Sequence, residues 1–228
     1  MNLTVVALSA LLVFGSCGTS QKTGTAAGAG AGAALGALVG GLLNSSHHGT
    51  GAVVGAAIGA AVGGTAGNLI GKHMDKVKAE AEAVKNAQVE TVTDANGLAA
   101  VKVTFDSGIL FQTNKYVLNA NAKNDLANFA TVLKNNTDCE VSIQGYTDST
   151  GNDGINLPLS ENRAKSVYNY LMSCGVKNSQ IKSVQGFGSS NPVADNSTVA
   201  GRQANRRVEV YMYASQSMIN AANNGTLK

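Results

Sequence analysis

From Cys139 to Tyr146 the chain alternates, with Val141, Ile143 and Gly145 on one side and Ser142, Gln144 and Tyr146 on the other. That period of two predicts a half-buried strand. Val167, Leu171 and Cys174 then recur at helical spacing, predicting a helix over 158–174 with Ser160 as its N-cap. Upstream, Val89–Val92 and Leu98–Phe105 flank Asp94-Ala95-Asn96-Gly97, which reads as a hairpin with an Asn-Gly turn. Phe105, Leu110 and Phe111 supply core, and Ala122, Leu126, Phe129, Ala130 and Leu133 form one helical stripe. A strand over Ile181–Gly186, a long polar loop to Gly201 and a last strand carrying Val208, Val210 and Met212 complete the pattern. The order predicts an α/β sandwich with helices covering one face of a mixed sheet. Residues 215–228 are polar and read as a frayed tail.

The first third of the chain is different. Gly24, Gly28, Gly32, Gly36 and Gly40 stand four apart, as do Gly51, Gly55, Gly59, Gly63, Gly67 and Gly71, with Asn44–His48 between the two ladders. Each ladder is about twenty residues, roughly 30 Å as a helix, which matches a bilayer core. A period of four keeps the glycines on one stripe, where two helices approach closely. In water so much Gly would cost a helix about 1 kcal/mol per residue relative to Ala, and a flexible linker has no reason to hold the register. The expectation is a packed helical hairpin over 24–71, in or on a membrane, with self-association through the stripe as a further expectation. Here the chain resembles glycine-zipper proteins. Lys72–Gln88 mixes Lys, Glu and Ala, predicting a polar helix or extended linker, placed over 72–87, that holds the next domain off the membrane.

Residues 2–14 are an apolar run followed by Gly15-Ser16-Cys17. The run is too short for a mature membrane span and reads as a lipoprotein signal over 1–16, with Cys17 lipidated and a short linker over 17–23. The rival is a buried N-terminal helix ending in a structural Cys. No acidic residue follows Cys17 in Gly18-Thr19-Ser20-Gln21. By resemblance to lipoprotein sorting rules, that favours the outer membrane, with acyl chains as the anchor.

Net charge is only +3 and points to no nucleic-acid partner. His47, His48 and His73 all precede residue 88, so the C-terminal domain offers no Ser-His-Asp set and no enzyme is expected. Asp148 and Asp153 read better as loop formers than as a hydrolytic pair. His47 and His48 lack a third ligand nearby, so no metal or other cofactor is expected. Cys139 opens a strand and Cys174 ends the helix running back beside it, so a disulfide between them stands against two separate buried thiols.

The chemistry concentrates in Gly145-Tyr146-Thr147-Asp148-Ser149-Thr150-Gly151 and the helix that follows. Asp148 is expected just after a strand and Arg163 in the first turn of a helix. A cation there opposes the helix dipole, so Arg163 is either solvated or part of an anion site. With Asp148 opposite, such a site suits a zwitterion.

Thr147-Asp148, Gly151, Asn156, Leu159-Ser160, Arg163-Ala164, Gly175-Val176, Gly186-Phe187-Gly188, Pro192, Asn196, Thr198, Gly201-Arg202 and Asn205-Arg206-Arg207-Val208-Glu209 resemble the OmpA-like C-terminal domain over roughly 88–214. The resemblance implies a βαβαβ sandwich that binds peptidoglycan non-covalently through the diaminopimelate of the stem peptide. Asp148 and Arg163 take the family's key positions, and Asn114, Thr147, Asn156 and Arg206 its supporting ones. Tyr146 departs from the His of many relatives, with little effect expected on binding, and Pro158 is expected to stiffen the loop before the helix. The whole is expected to be an outer-membrane lipoprotein with its C-terminal domain in the periplasm, tethering that membrane to the cell wall. The alternative is an oligomeric membrane or secretion-associated protein that uses the domain only as an anchor. A flagellar stator subunit shares the domain, but neither ladder carries the intramembrane carboxylate a proton path needs.

Overall fold

The computed structural model describes residues 62–227. The signal segment, Cys17, His47 and His48, the first glycine ladder and the start of the second lie outside the described residues. Within them the chain folds as helix α1 (Gly64–Glu82), strands β1 (Ala87–Thr93) and β2 (Ala99–Asp106), a short α2 (Ser107–Leu110), α3 (Ala120–Asn135), β3 (Cys139–Gly145), α4 (Asp153–Ser173), β4 (Ile181–Gly186), α5 (Val199–Asn205), β5 (Arg207–Ala214) and α6 (Gln216–Asn223). The sheet order is β1-β2-β5-β3-β4. Only the β3–β4 pair is parallel, so the sheet is mixed.

The period of two sorts the two faces. Val101, Val103, Phe105, Val141, Ile143, Val208, Val210 and Met212 join the helices in one apolar core. Their alternates form a polar layer on the far face. There Glu209 receives Arg207 at 2.6 Å and the Tyr211 hydroxyl at 2.7 Å, so the buried carboxylate is satisfied. The hairpin turn is held by Asp94, whose carboxylate accepts from the backbone N–H groups of Asn96 and Leu98. Gly97 takes the left-handed φ of 75° there, which costs it no Cβ clash.

Three expectations need correction. The stretch expected to be a stand-off linker is helical, but α1 lies on the domain: Ala66, Ile70, Met74, Val77 and Ala81 are buried in the same core as the sheet. Its charged residues are the outward face of an amphipathic helix. His73 therefore belongs to the domain and sits beside Asp138. The tail is not frayed, because α6 is capped by Ser215 and buries Met218, Ile219 and Ala222. Cys139 and Cys174 are both free. Cys139 points into the core with its Sγ 4.0 Å from the Met74 sulfur, so packing against α1 takes the place of a bridge. Among the described residues no helix is long and apolar enough to cross a membrane.

The packing of α1 gives a direct test. Ile70→Ala should lose about 2–5 kcal/mol of stability, the usual cost of truncating a fully buried side chain. Denaturant unfolding would read it, and an unchanged midpoint would return α1 to the status of a linker.

Candidate functional site

The C-terminal ends of the parallel pair β3 and β4 meet the side of α4 at Gly145 and Gly186, which are register partners. A Cβ on Gly145 would stand 2.1 Å from the Ser160 carbonyl oxygen, and one on Gly186 2.2 Å from the Glu161 nitrogen. Glycine at both places lets the helix backbone rest on the strand ends. Ser160 pins the contact by accepting from the Gly188 N–H at 2.9 Å.

The helix begins earlier than its spacing implied. Asn152 is the N-cap, accepting from the Ile155 N–H, and Pro158 lies inside the helix. Ser160 is thus an interior residue, and Arg163 stands well past the first turn, so its placement is not a matter of the helix dipole. Apolar spacing alone gave the wrong start because Ile155 and Leu157 face solvent, and because Pro158, the sixth residue of α4, reads as a boundary.

Arg163 is instead a buried cation. It is 3% exposed; its Nε donates to the Lys115 carbonyl at 3.1 Å, and its guanidinium lies 5.4 Å from the centre of the Phe111 ring. Nη1 is buried without a hydrogen-bond partner, and among the described residues no carboxylate forms an ion pair with Arg163. Burial, then the neighbouring Arg206 cation, pushes its pKa down, and only the Asp148 carboxylate acts the other way. An under-compensated buried charge is costly and marks a place where a ligand's charge can be matched.

Asp148 follows β3 on the loop before α4 and is 7% exposed. Its Oδ2 accepts from Arg206 Nη1 at 2.5 Å and its Oδ1 from the Thr150 N–H at 2.8 Å. Burial opposes its ionisation, but the Arg206 hydrogen bond and the Thr150 contacts prevail and hold it below the ordinary carboxylate range. The Arg206 pair therefore stabilises the fold above the unfolded carboxylate's pKa, and that contribution fades as pH falls through the folded value. A carboxylate has about four lone-pair positions, so each oxygen keeps room for a further donor.

All six predicted ligand positions line one open cleft of about 430 Å³, together with Phe111, Thr150, Leu159 and Arg202. Their roles divide. Thr147 donates its hydroxyl to the Asp148 carbonyl at 2.9 Å. Asn156, 3% exposed, donates its amide to the carbonyls of Asp148 and Thr150. Both shape the loop that carries Asp148. Asn114 is exposed at the rim with φ 57°, a left-handed turn that suits Asn. Tyr146 lies off the cleft, its ring stacked on Phe187 and covered by Arg207 at 3.8 Å.

Sequence reasoning missed Arg202 as a cleft residue and Asn205 as its organiser. Arg202 stands four before Arg206, a spacing that puts two side chains on one helical face, and that was the available signal. Its Nη1 donates to the carbonyls of Asn196 and Ser197. Asn205 is fully buried. It accepts from the Val193 and Ala194 N–H groups and donates to the Ala194 carbonyl and the Asn196 side chain. Asn196 in turn accepts from the Ser149 N–H, which ties the long loop to the Asp148 loop. The cleft thus presents three guanidiniums against one carboxylate and suits a ligand that carries at least one carboxylate.

Residues 110–206 match the model of the OmpA family and residues 1–75 that of the YMGG-like Gly-zipper. Peptidoglycan-binding protein ArfA of Mycobacterium tuberculosis is 53% identical over 81 residues, 36% of this chain and 24% of that protein. Outer-membrane lipoprotein YfiB of Pseudomonas aeruginosa is 41% identical over 108 residues, 47% of this chain and 64% of that protein. The chain therefore spans less than two thirds of these relatives. A crystal structure of a MotB-like protein from Desulfovibrio vulgaris superposes with a TM-score of 0.55 at 21% identity, over 66% of this chain and 96% of that one, which is a likeness of fold. The cleft between α2, α4, α5 and the loop after β3 accordingly lies almost wholly within the stretch that matches the OmpA family, which follows a stretch that matches the YMGG-like Gly-zipper.

Proposed function

We propose that the chain is an outer-membrane lipoprotein whose OmpA family domain binds peptidoglycan non-covalently and tethers that membrane to the wall. The observation that carries the reading is Arg163, a buried guanidinium with an unpartnered Nη1 on a cleft that also holds Asp148. Relatives named for peptidoglycan binding and for an outer-membrane lipoprotein support it. The ligand is the zwitterionic end of diaminopimelate, with its carboxylate on Arg163 and its ammonium on Asp148 beside Arg206. Thr147 and Asn156 hold the Asp148 loop, and Asn114 closes the rim. Cys17 carries the lipid. The cleft is read as a binding site and no catalytic step is assigned to it.

Titration with two stem-peptide fragments tests this. One carries diaminopimelate and the other lysine, which lacks the terminal carboxylate. Charge-assisted hydrogen bonds contribute about 1.5–3 kcal/mol each, so the lysine fragment should bind roughly 10- to 150-fold more weakly. Equal affinity would remove the carboxylate from the reading, and a chain that ignores both fragments would remove the function.

The same titration separates the loop-holding residues from the charged pair. Asn156→Ala should weaken binding by less than Asp148→Ala, because its amide touches backbone carbonyls and carries no charge. A larger loss in Asn156→Ala would make it a direct ligand contact.

A further inference from the structure

At the end of β3 away from the cleft, α1 brings His73 against Asp138 and Cys139, where that strand begins. The ligating atoms of the three all lie within 4.8 Å of one another. His73 Nε2 stands 3.3 Å from Asp138 Oδ2, the spacing of two ligands each about 2.0 Å from one tetrahedral ion. The pair is not aligned as a hydrogen bond: both ring nitrogens of His73 are buried and neither has a hydrogen-bond partner. Buried polar atoms are nearly always satisfied, so a simple His–Asp contact leaves this ring unexplained. Behind it the Cys139 Sγ is buried, 4.0 Å from the Met74 thioether. Asp138 is 36% exposed and gives an ion a way in from solvent.

We propose that His73, Asp138 and Cys139 bind a single d10 metal ion, Zn2+ or Cu+. Imidazole, carboxylate and thiolate are a zinc donor set, and the adjoining Met74 thioether is the soft ligand that copper(I) recruits. Bringing the sulfur to bonding distance takes a movement of about 1 Å from the 4.8 Å limit. The Cys139 thiol releases its proton to solvent as the metal–sulfur bond forms. The bound ion joins α1 to β3 and so fastens the helix that leads out of the glycine-rich segment onto the sheet. It lies the length of β3 from the peptide cleft, about 20 Å at 3.3 Å per residue, so the two sites are independent.

The test is competition of Zn2+, and of Cu+ under reducing conditions, between a chelator of micromolar affinity and the purified full-length chain in detergent. The wild type should take up one equivalent of one ion, and its thermal unfolding midpoint should rise with that ion. His73→Gln, Asp138→Asn and Cys139→Ser should each weaken binding at least roughly tenfold and lose the thermal shift. Asp138→Asn is the safest of the three for folding, since its side chain is part-exposed, and far-ultraviolet circular dichroism checks each variant. Met74→Leu should weaken Cu+ and leave Zn2+ unchanged. The proposal is overturned if the wild type leaves both ions with the chelator or if Asp138→Asn binds like the wild type. It is also overturned if uptake disappears on replacing His47 and His48 with alanine instead. Retained binding of stem peptide by the three variants keeps this outcome separate from that of the cleft.

Discussion

Arg163→Met should weaken binding of the stem peptide roughly 10- to 150-fold while leaving the domain at least as stable as the wild type. The two effects have opposite signs for one reason. In the absence of ligand Arg163 is 3% exposed, with an unpartnered Nη1 and no ion pair among the described residues. Folding therefore desolvates a guanidinium without full compensation. Replacing buried charge by apolar side chains of similar volume is often neutral or stabilising, by about 1–4 kcal/mol, and methionine can keep the contact with the Phe111 ring. The ligand's carboxylate, by contrast, loses its charge-assisted partner, a loss of roughly 10- to 150-fold in affinity. Arg163→Lys should also bind weakly, because an ammonium cannot make the two-pronged contact of a guanidinium. Asp148→Ala should weaken binding too, but with a small cost in stability, since it leaves Arg206 without its ion-pair partner. That cost is modest because Arg206 is 36% exposed. Denaturant midpoints set beside peptide titration decide the matter. Wild-type affinity in Arg163→Met would move the site elsewhere, and a marked fall in its stability would show that the guanidinium holds the fold and is not held in readiness for a ligand.

The sheet was legible because its strands alternate cleanly, with Val141 and Ile143 inward and Ser142 and Gln144 outward, and the pattern holds to the strand ends. The cleft was legible as a set of residues but not as geometry. Nothing in the spacing says that Asp148 is already paired with Arg206, a partner 58 positions away, or that α4 starts at Asp153 with Pro158 inside it. The burial of α1 was hidden for another reason. Its apolar stripe of Ile70, Met74, Val77 and Ala81 is narrow and interleaved with lysines and glutamates, so charge dominates the reading of a helix whose inner face is apolar. The same interleaving hides the nearness of His73 to Cys139. The signal that remains is the i, i+4, i+7 and i+11 spacing of Ile70, Met74, Val77 and Ala81.

Gly145→Ala should cost both stability and binding, and the pairing of the two losses is the informative part. The added Cβ would meet the Ser160 carbonyl at 2.1 Å. The obstacle is helix backbone, so no rotamer change relieves it, and α4 must move off the end of β3. Over-packing of this kind costs typically 1–3 kcal/mol and occasionally more. The displacement reaches the cleft because Arg163 lies on the same helix within a turn of Ser160, and because Ser160 also holds Gly188. The Thr147 N–H donates to the Gly188 carbonyl at 2.7 Å, so the Asp148 loop shifts with it. Both charged groups lose their spacing, and affinity should fall at least roughly tenfold, the equivalent of about 1.4 kcal/mol. Leu171→Ala provides the comparison. Leu171 is fully buried on the same helix, far along from the cleft, and its truncation should cost about 2–5 kcal/mol without changing peptide affinity at a temperature where the variant is folded. Equal binding by Gly145→Ala and wild type would mean that the cleft tolerates movement of α4. Loss of binding by Leu171→Ala under folded conditions would mean that affinity tracks global stability, and the role assigned to the glycine contact would fail.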